Sequence, residues 1–341
     1  MGLNIAEIIP RKALSFSELK GKTIAIDAYN TIYQFLSTIR QPDGTPLMDR
    51  KKRITSHLSG LFYRNINLLS EGIKLIYVFD GIPPDLKYAT NKSRKEAKDI
   101  AQEKYQKAKE EEDIESMGKY AKQNVRLTDE ILEDSKNLLE AMGIAVIQAP
   151  SEGESQAAEI ANQKLAYAVG SQDYDSLLFG APRLIQNLTL ARTRKTASGM
   201  IYISPEIIEL EHVLNSLGIN LEQLICLGIL VGTDYNRGGV RGIGQKKALE
   251  LVRKFKSPVQ IFNFVSAQME KQENKFDWQE IFSLFKNPEL DKKVKINFPK
   301  LNEKKIREIL VNEHDFSEER VNNHLIKLNS ALDKKKQKTL F

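Results

Sequence analysis

Cysteine is almost missing from this 341-residue chain: there is one, Cys226, set inside an apolar helical pattern. A lone thiol excludes a disulfide scaffold, and its setting marks a small buried hydrophobe rather than a metal ligand. Long apolar runs are missing too, since the one near Leu224 to Val231 falls far short of the ~20 residues a bilayer-spanning helix needs. The N-terminal MGLNIAEIIPRK lacks the basic start and apolar stretch of an export signal, and Ala6 stands where a myristoylation signal has Ser or Thr. These absences lead us to expect a soluble globular protein in a reducing, intracellular compartment, with no membrane partner.

What is present begins with unevenly placed charge. The net charge of +6 is modest, but between Arg237 and Lys256 seven basic residues accompany one acidic residue, Glu250. Lys334, Lys335, Lys336 and Lys338 crowd the C-terminal end. Basic stripes suit a polyanionic partner, although a solvated face explains an isolated charge run equally well. A hydrophobic content of 41% can bury a sizeable core, in one large domain or two ordinary ones.

Four apolar segments, TIAI at 23–26, LIYVF at 75–79, IAVIQA at 144–149 and LAYAV at 165–169, predict buried strands of a parallel sheet. Between the first two, TSHLSGLFYRNINLL places Leu58, Leu61, Phe62, Ile66 and Leu69 on one helical face. Further helices are predicted from Asp129 to Met142, stopped by Gly143, and from Leu221 to Gly232. Strands alternating with helices imply an α/β fold: a mostly parallel central sheet with helices on both faces. Residues 88–127 interrupt that rhythm. They are rich in Lys, Glu, Gln and Ala without a continuous apolar stripe, so projecting helices and a charged linker both fit. Residues 261–332 read as mostly helical, and 333–341 as a flexible tail.

The clearest chemical signal is where the acids fall. Asp27 ends the first strand, Asp80 the second, Glu152 and Glu154 follow the third in APSEGES, and Asp173 and Asp175 follow the fourth in SQDYD. Open α/β sheets place their ligand crevice at these carboxyl ends. Asp234, in GTDYN, is a seventh candidate. Singly, Glu152, Glu154 and Asp173 are explained as helix caps or dipole partners. Together, that many like charges are tolerable only with cations present, and oxygen ligands without His or Cys favour Mg²⁺ or Mn²⁺. Two such ions suit phosphodiester hydrolysis. Two look-alikes fail. GKT at 21–23 has Phe16 where the first glycine of a phosphate loop belongs, and Asp27-Ala28-Tyr29 lacks the second acid of an Asp-x-Asp phosphatase.

At this point the blocks VFDGIPPDLK (78–87), APSEGESQAAEIA (149–161), SQDYDSLLFG (171–180) and GTDYNRGGVRGIGQKKAL (232–249) resemble the signatures of flap endonucleases, within the XPG nuclease family, and the composition suits an archaeal member. The resemblance runs from Gly2 to about residue 260. It implies a PIN-like 5′ nuclease core over 1–260, made of an N-terminal nuclease region (1–87), a helical arch (88–127), an internal nuclease region (128–235) and a helix-two-turn-helix (236–260). It also implies a structure-specific 5′ flap endonuclease with 5′-3′ exonuclease activity, a monomer acting on 5′-flap, nicked and branched DNA in replication and repair, cytoplasmic if archaeal and nuclear if eukaryotic. A non-catalytic branched-DNA binder and an RNA-directed nuclease are the competing readings.

Residue by residue, the resemblance assigns Asp27, Asp80, Glu152 and Glu154 to a first Mg²⁺, and Asp173, Asp175 and Asp234 to a second, with Mn²⁺ as substitute. Lys87 and Arg94 match the pair that contacts the scissile phosphate, and Tyr33 the tyrosine that stacks on the base beside the cut. Arg40 and Arg64 match contacts near the DNA bend, and Leu47 with the helix carrying Leu61 and Phe62 resembles the wedge where the duplex unstacks. Glu152, Gly232 and Asp234 would also border the DNA. The Gly242-Ile243-Gly244 turn with Lys246, Lys247, Arg253 and Lys254 offers backbone N–H groups and charge to duplex phosphates, and in the family this element holds K⁺. Gln337, Leu340 and Phe341 resemble the start of a peptide that docks on the sliding clamp (PCNA), whose usual aromatic pair would fall beyond Phe341.

Overall fold

A computed structural model describes residues 3–338 apart from 42, 85, 112, 191–192, 197–198 and 273–274. After a two-residue edge strand β1 (Lys12–Ala13), β2 (Thr23–Asp27) runs directly into α1 (Ala28–Thr38). The break is chemical: Asp27 leaves helical geometry and its carboxylate accepts the Asn30 N–H at 3.1 Å, capping α1. There follow α2 (Ser56–Ser70), β3 (Lys74–Phe79), α3 (Lys87–Glu110), α4 (Ile114–Gln123), α5 (Asp129–Ala141), β4 (Ala145–Gln148), α6 (Gly153–Asn162), β5 (Ala168–Gly170) and the one-turn α7 (Asp175–Leu178). Then come β6 (Arg183–Gln186), the hairpin β7 (Thr193–Thr196) and β8 (Gly199–Tyr202), β9 (Glu206–Glu209), α8 (Leu210–Leu217) and α9 (Leu221–Val231). The chain closes with α10 (Gln245–Lys254), α11 (Pro258–Glu270), α12 (Trp278–Lys286), α13 (Glu303–Arg307) and α14 (Glu318–Lys338).

Two compact units draw on non-consecutive stretches: residues 1–15, 80–91 and 148–294 form one, residues 16–79, 92–147 and 295–341 the other. In the first unit β5 pairs parallel with β6, while β9 pairs antiparallel with both β6 and β1. Helix α9 is its core: Leu224, Ile225, Cys226, Leu227, Ile229 and Leu230 are fully buried, and at its start the Asn220 and Gln223 N–H groups each donate to the other's side-chain oxygen at 2.9 Å. Burial lifts the Cys226 thiol to about 12, which makes it an inert hydrophobe as its sequence setting suggests. Among the described residues no single helix is long and apolar enough to cross a membrane.

In the second unit β2 and β3 pair parallel, from Thr23 opposite Lys74 to Asp27 opposite Val78. Leu58, Leu61, Phe62 and Ile66 on α2 are completely buried, so the predicted helical face is core; the exposed apolar residue of the neighbouring loop is Met48, at 46%. Leu61 and Phe62 are core, as expected of most apolar residues in the wedge-like region, and Leu47 is partly exposed. Residues 88–127 include two helices, α3 and α4, as one of the two expectations had it. Ala101 and Ala108 are buried, one side of α3 docking through residues too small to register as an apolar stripe. Two expectations are corrected. The fourth strand begins at Ala168 rather than Leu165, because Lys164 turns the chain with φ +62° and leaves Leu165 42% exposed. The tail expected to be flexible from Asp333 continues α14 as far as Lys338.

His57, at the start of α2, has no exposed surface and neither ring nitrogen finds a hydrogen-bond partner among the described residues. Burial, with a further push from His314, lowers its pKa to about 3 from 6.5. It is therefore neutral in the fold, and its contribution is intact above pH ~6.5 and lost progressively as pH falls from there towards 3. Unfolding free energies from urea titrations at pH 7, 5 and 4 should fall at up to about 1.4 kcal/mol per pH unit from this residue alone. In His57→Leu that component of the acid slope should vanish; an unchanged slope would show that His57 is protonated in the fold.

Candidate active site

Strand β3 ends in Asp80, and the next residue closes the distance to the following strand end. Gly81 donates its N–H to Ser151 O at 2.6 Å and Ile82 its N–H to Pro150 O at 3.2 Å. A β-carbon at position 81 would overlap the carbonyl oxygens of Ala149 and Pro150, so glycine is required for the two loops to lie this close. Asp80 thereby accepts the N–H of Gly153, the first residue of α6, at 2.7 Å, beside Glu152. Lys87, at the start of α3, forms an ion pair with Glu152 and lies 4.0 Å from Asp234 Oδ2.

The other acids are held by small polar residues of their own motifs. Ser171 Oγ donates to Glu154 Oε1 at 3.3 Å and accepts the Asp173 N–H at 3.2 Å. Asn236 Oδ1 accepts from the Thr233 N–H and hydroxyl at 3.1 and 2.7 Å, and its amide donates to Ile229 O at 2.7 Å. This tightens the turn that carries Asp234 after α9. Sequence reading missed these supports, although Ser171, Thr233 and Asn236 sit inside or beside the quoted motifs.

Electrostatics shows how crowded the cluster is. Asp175 is buried, and desolvation first, then Asp234 and Asp173, raise its pKa to about 7, against the pull of Lys87 and a hydrogen bond from the Leu3 backbone. Asp80 is raised as well, by desolvation and by Asp234, with Lys87 and the Gly153 N–H opposing. Six predicted acids, Asp80, Glu152, Glu154, Asp173, Asp175 and Asp234, thus belong to one connected network around Lys87 in the first unit. Asp27 belongs to the second unit, at the end of β2 and 5% exposed.

Among the described residues no three His, Cys, Asp or Glu side chains are drawn in closely enough to form a ready metal-binding group. The Lys87 ammonium stands between two of them, paired with Glu152 and 4.0 Å from Asp234. The donor set nevertheless fits a hard cation: every donor is a carboxylate, and the buried Asp175 Oδ1 has no hydrogen-bond partner.

The remaining predicted residues are placed as follows. Tyr33 on α1 is 37% exposed, with the Lys98 ammonium 5.6 Å from its ring centre. Arg40 and Arg64 are half-buried, and desolvation lowers both guanidinium pKa values. Arg94 lies on α3, its side chain outside the described residues. Gly232 and Gly242 adopt φ of +114° and +80°, and Gly244 caps α10. Lys246 and Lys247 project from the first turn of that helix into solvent, Lys246 with Glu7 at 3.6 Å. Arg253 and Lys254, in the last turn, are exposed; Arg253 Nε donates to Leu217 O at 2.6 Å, and the Lys254 ammonium lies 5.2 and 5.6 Å from the Phe255 and Phe264 ring centres. Leu340, Phe341 and the Gln337 side chain lie outside the described residues.

Comparison with known proteins bears on this arrangement directly. Residues 4–101 match the XPG N-terminal domain and residues 143–234 the XPG I-region, so the matched segments contain all seven acids. Flap endonuclease 1 of Pyrococcus furiosus is 53% identical over 342 aligned residues, covering 100% of this chain and 98% of that protein. The structure of flap endonuclease-1 from Methanococcus jannaschii superposes with a TM-score of 0.76 at 42% identity, covering 98% of this chain and 100% of that one. The catalytic core of Rad2, solved in complex with DNA substrate, shares the fold with a TM-score of 0.70 at 23% identity, over 96% of this chain and 100% of that one. A carboxylate network at the ends of α/β strands, both domain matches and full-length identity above one half agree: this chain belongs to the flap endonuclease family of XPG nucleases.

Proposed function

We propose that this structure-specific flap endonuclease cuts 5′-flap, nicked and branched DNA with two Mg²⁺ ions held by its strand-end carboxylates. Mn²⁺ would substitute, and 5′-3′ exonuclease action at nicks would use the same centre. The observation that carries the proposal is the buried Asp175 carboxylate, raised to about 7 beside Asp173 and Asp234 with one oxygen unpartnered. Asp80, Glu152 and Glu154 would serve one ion and Asp173, Asp175 and Asp234 the other; Asp27 is assigned to the first on its motif match alone. When bound, such ions lower the pKa of the attacking water and neutralise the attacking and leaving oxygens.

The chain's own groups do the rest. With its pKa raised to about 7, Asp175 is poised between its protonated and ionised forms at neutral pH, and a bound cation would favour the carboxylate, the proton leaving to solvent. Lys87, now paired with Glu152, is the ammonium nearest the acids and would turn to a phosphate oxygen, with Arg94 two helical turns further along α3. Tyr33 offers a ring to the base beside the cut, and Arg40 and Arg64 meet the bent duplex. Lys246, Lys247 and the Gly242–Gly244 turn would grip duplex phosphates, with K⁺ at that turn. Gln337, Leu340 and Phe341 would dock on the sliding clamp. Contacts made to phosphates and to the face of a stacked base carry no sequence, so junction shape would be the selector.

A labelled 5′-flap duplex, cut during a Mg²⁺ titration and again in excess EDTA, tests this. Cleavage should appear only with the metal, one phosphodiester at the junction per flap. Equal cutting in EDTA, or cutting of an RNA flap in preference to DNA, would overturn the proposal.

A further inference from the structure

The loop that follows α1 is built as a closed turn. Gln41 donates to Thr45 O at 2.8 Å, Gly44 to Gln41 O at 2.9 Å, and Asp43 accepts the Thr45 N–H and hydroxyl at 3.0 and 2.7 Å. Arg40 pairs with Pro46 across the turn, and its guanidinium donates to Gly44 O at 2.8 Å. At the tip, Gly44 is buried with φ +81°. A β-carbon there would overlap the α-carbon of Gly118 and come within 3.0 Å of its nitrogen and 3.4 Å of the Met117 carbonyl carbon. Turn and helix α4 therefore meet backbone to backbone, an approach only glycine at position 44 permits.

Beside this contact a cavity of about 560 Å³ opens, lined by Leu36, Met48, Tyr105, Val125 and Ile131 among others. Ala121 of α4 is one wall of that space, so on this side α4 faces open volume, and the Gly44 contact is a point where backbone meets backbone directly. The same turn is closed by Arg40, a residue assigned to the bent DNA, so a group that meets the duplex also fixes the rest on which α4 lies.

We infer that Gly44 is a positioning residue for the arch: the Arg40–Pro46 turn is the stop against which α4 rests, and it sets the passage offered to the single-stranded 5′ flap. The inference rests on reading residues 88–127 as the arch over that flap. It implies that the length of an accommodated side chain at position 44, rather than at position 118, governs arch placement, because a β-carbon on Gly118 would meet nothing within 4 Å.

The test compares Gly44→Asn with Gly118→Ala in the full chain. Asparagine tolerates the left-handed backbone, so it removes the close approach with little strain in the turn. In Gly44→Asn, hydrogen exchange of the α4 amides without DNA should quicken about 10-fold while β2, β3 and α2 keep their protection, and kcat on a 5′-flap duplex should fall about 10-fold with KM little changed. Gly118→Ala should match the parent protein in both readouts. Unchanged α4 exchange in Gly44→Asn, loss of protection across β2 and β3 as well, or loosened α4 with unchanged kcat would each overturn the positioning role. Exchange is read without substrate, so a parent protein that fails to cut flaps would count against the proposed function alone.

Discussion

Asp175→Asn should lose at least about 10³-fold in flap cleavage under saturating Mg²⁺ while binding the flap duplex with an affinity close to the parent. The same substitution should make the metal-free protein more stable at pH 8. The sign follows from the folded pKa. Asp175 titrates near 3.8 when unfolded and near 7 in the fold, so folding carries no penalty from it below pH ~4. The penalty grows between 4 and 7 and is complete above 7. Asparagine removes that penalty along with the charge. A gain in the urea midpoint at pH 8 in EDTA, shrinking as pH falls towards 4, would thus accompany the loss of cleavage; it is the trade expected where a site is built for a cation rather than for stability. Undiminished cutting by the variant would remove Asp175 from the chemistry.

Lys87→Met should have the opposite effect on stability and the same direction of effect on catalysis. Its ammonium pairs with Glu152 and pulls down the pKa of both Asp80 and Asp175. Without it the acids repel more strongly, so the metal-free protein should unfold at lower urea at pH 8, and added Mg²⁺ should restore a larger share of stability than in the parent. Single-turnover cleavage should fall about 10²- to 10³-fold, with flap affinity little changed, because the group is proposed to act on charge that develops as the phosphodiester breaks. Parent-like single-turnover rates in Lys87→Met would show that the lysine serves only to hold the acids apart.

Much of the site was legible because period and position coincide in β2 and β3: short apolar runs, each closed by one acid, read as strands with a carboxylate at the functional edge. Asp175 and Asp234 were legible through SQDYD and GTDYN. The structure adds what those motifs do locally, since Ser171, Thr233 and Asn236 hold the acids in place. Strands β6 and β9 were not legible, because RLIQ and EIIE are four residues each and carry no period long enough to separate strand from turn. The helical state of residues 88–110 remained open between helix and linker because its docking side is made of alanines, Ala101 and Ala108, which look polar-neutral in a charged stretch. Arg253 was legible as a charge at the end of a basic helix, but not as the donor that ties that helix to a neighbouring one. A positive residue on a predicted helix shows its sign in the sequence, but not the Leu217 carbonyl that claims it.

If carboxylates from separate strand ends hold a pair of hard ions, as proposed, those ions can be counted. Mn²⁺ binding followed by electron paramagnetic resonance should titrate to two ions per chain, with a spin-coupled signal from a pair about 4 Å apart. Asp80→Asn and Asp175→Asn combined should abolish that signal. No bound Mn²⁺ in the parent, or the same count and coupling after both carboxylates are replaced, would show that these carboxylates hold no ion pair.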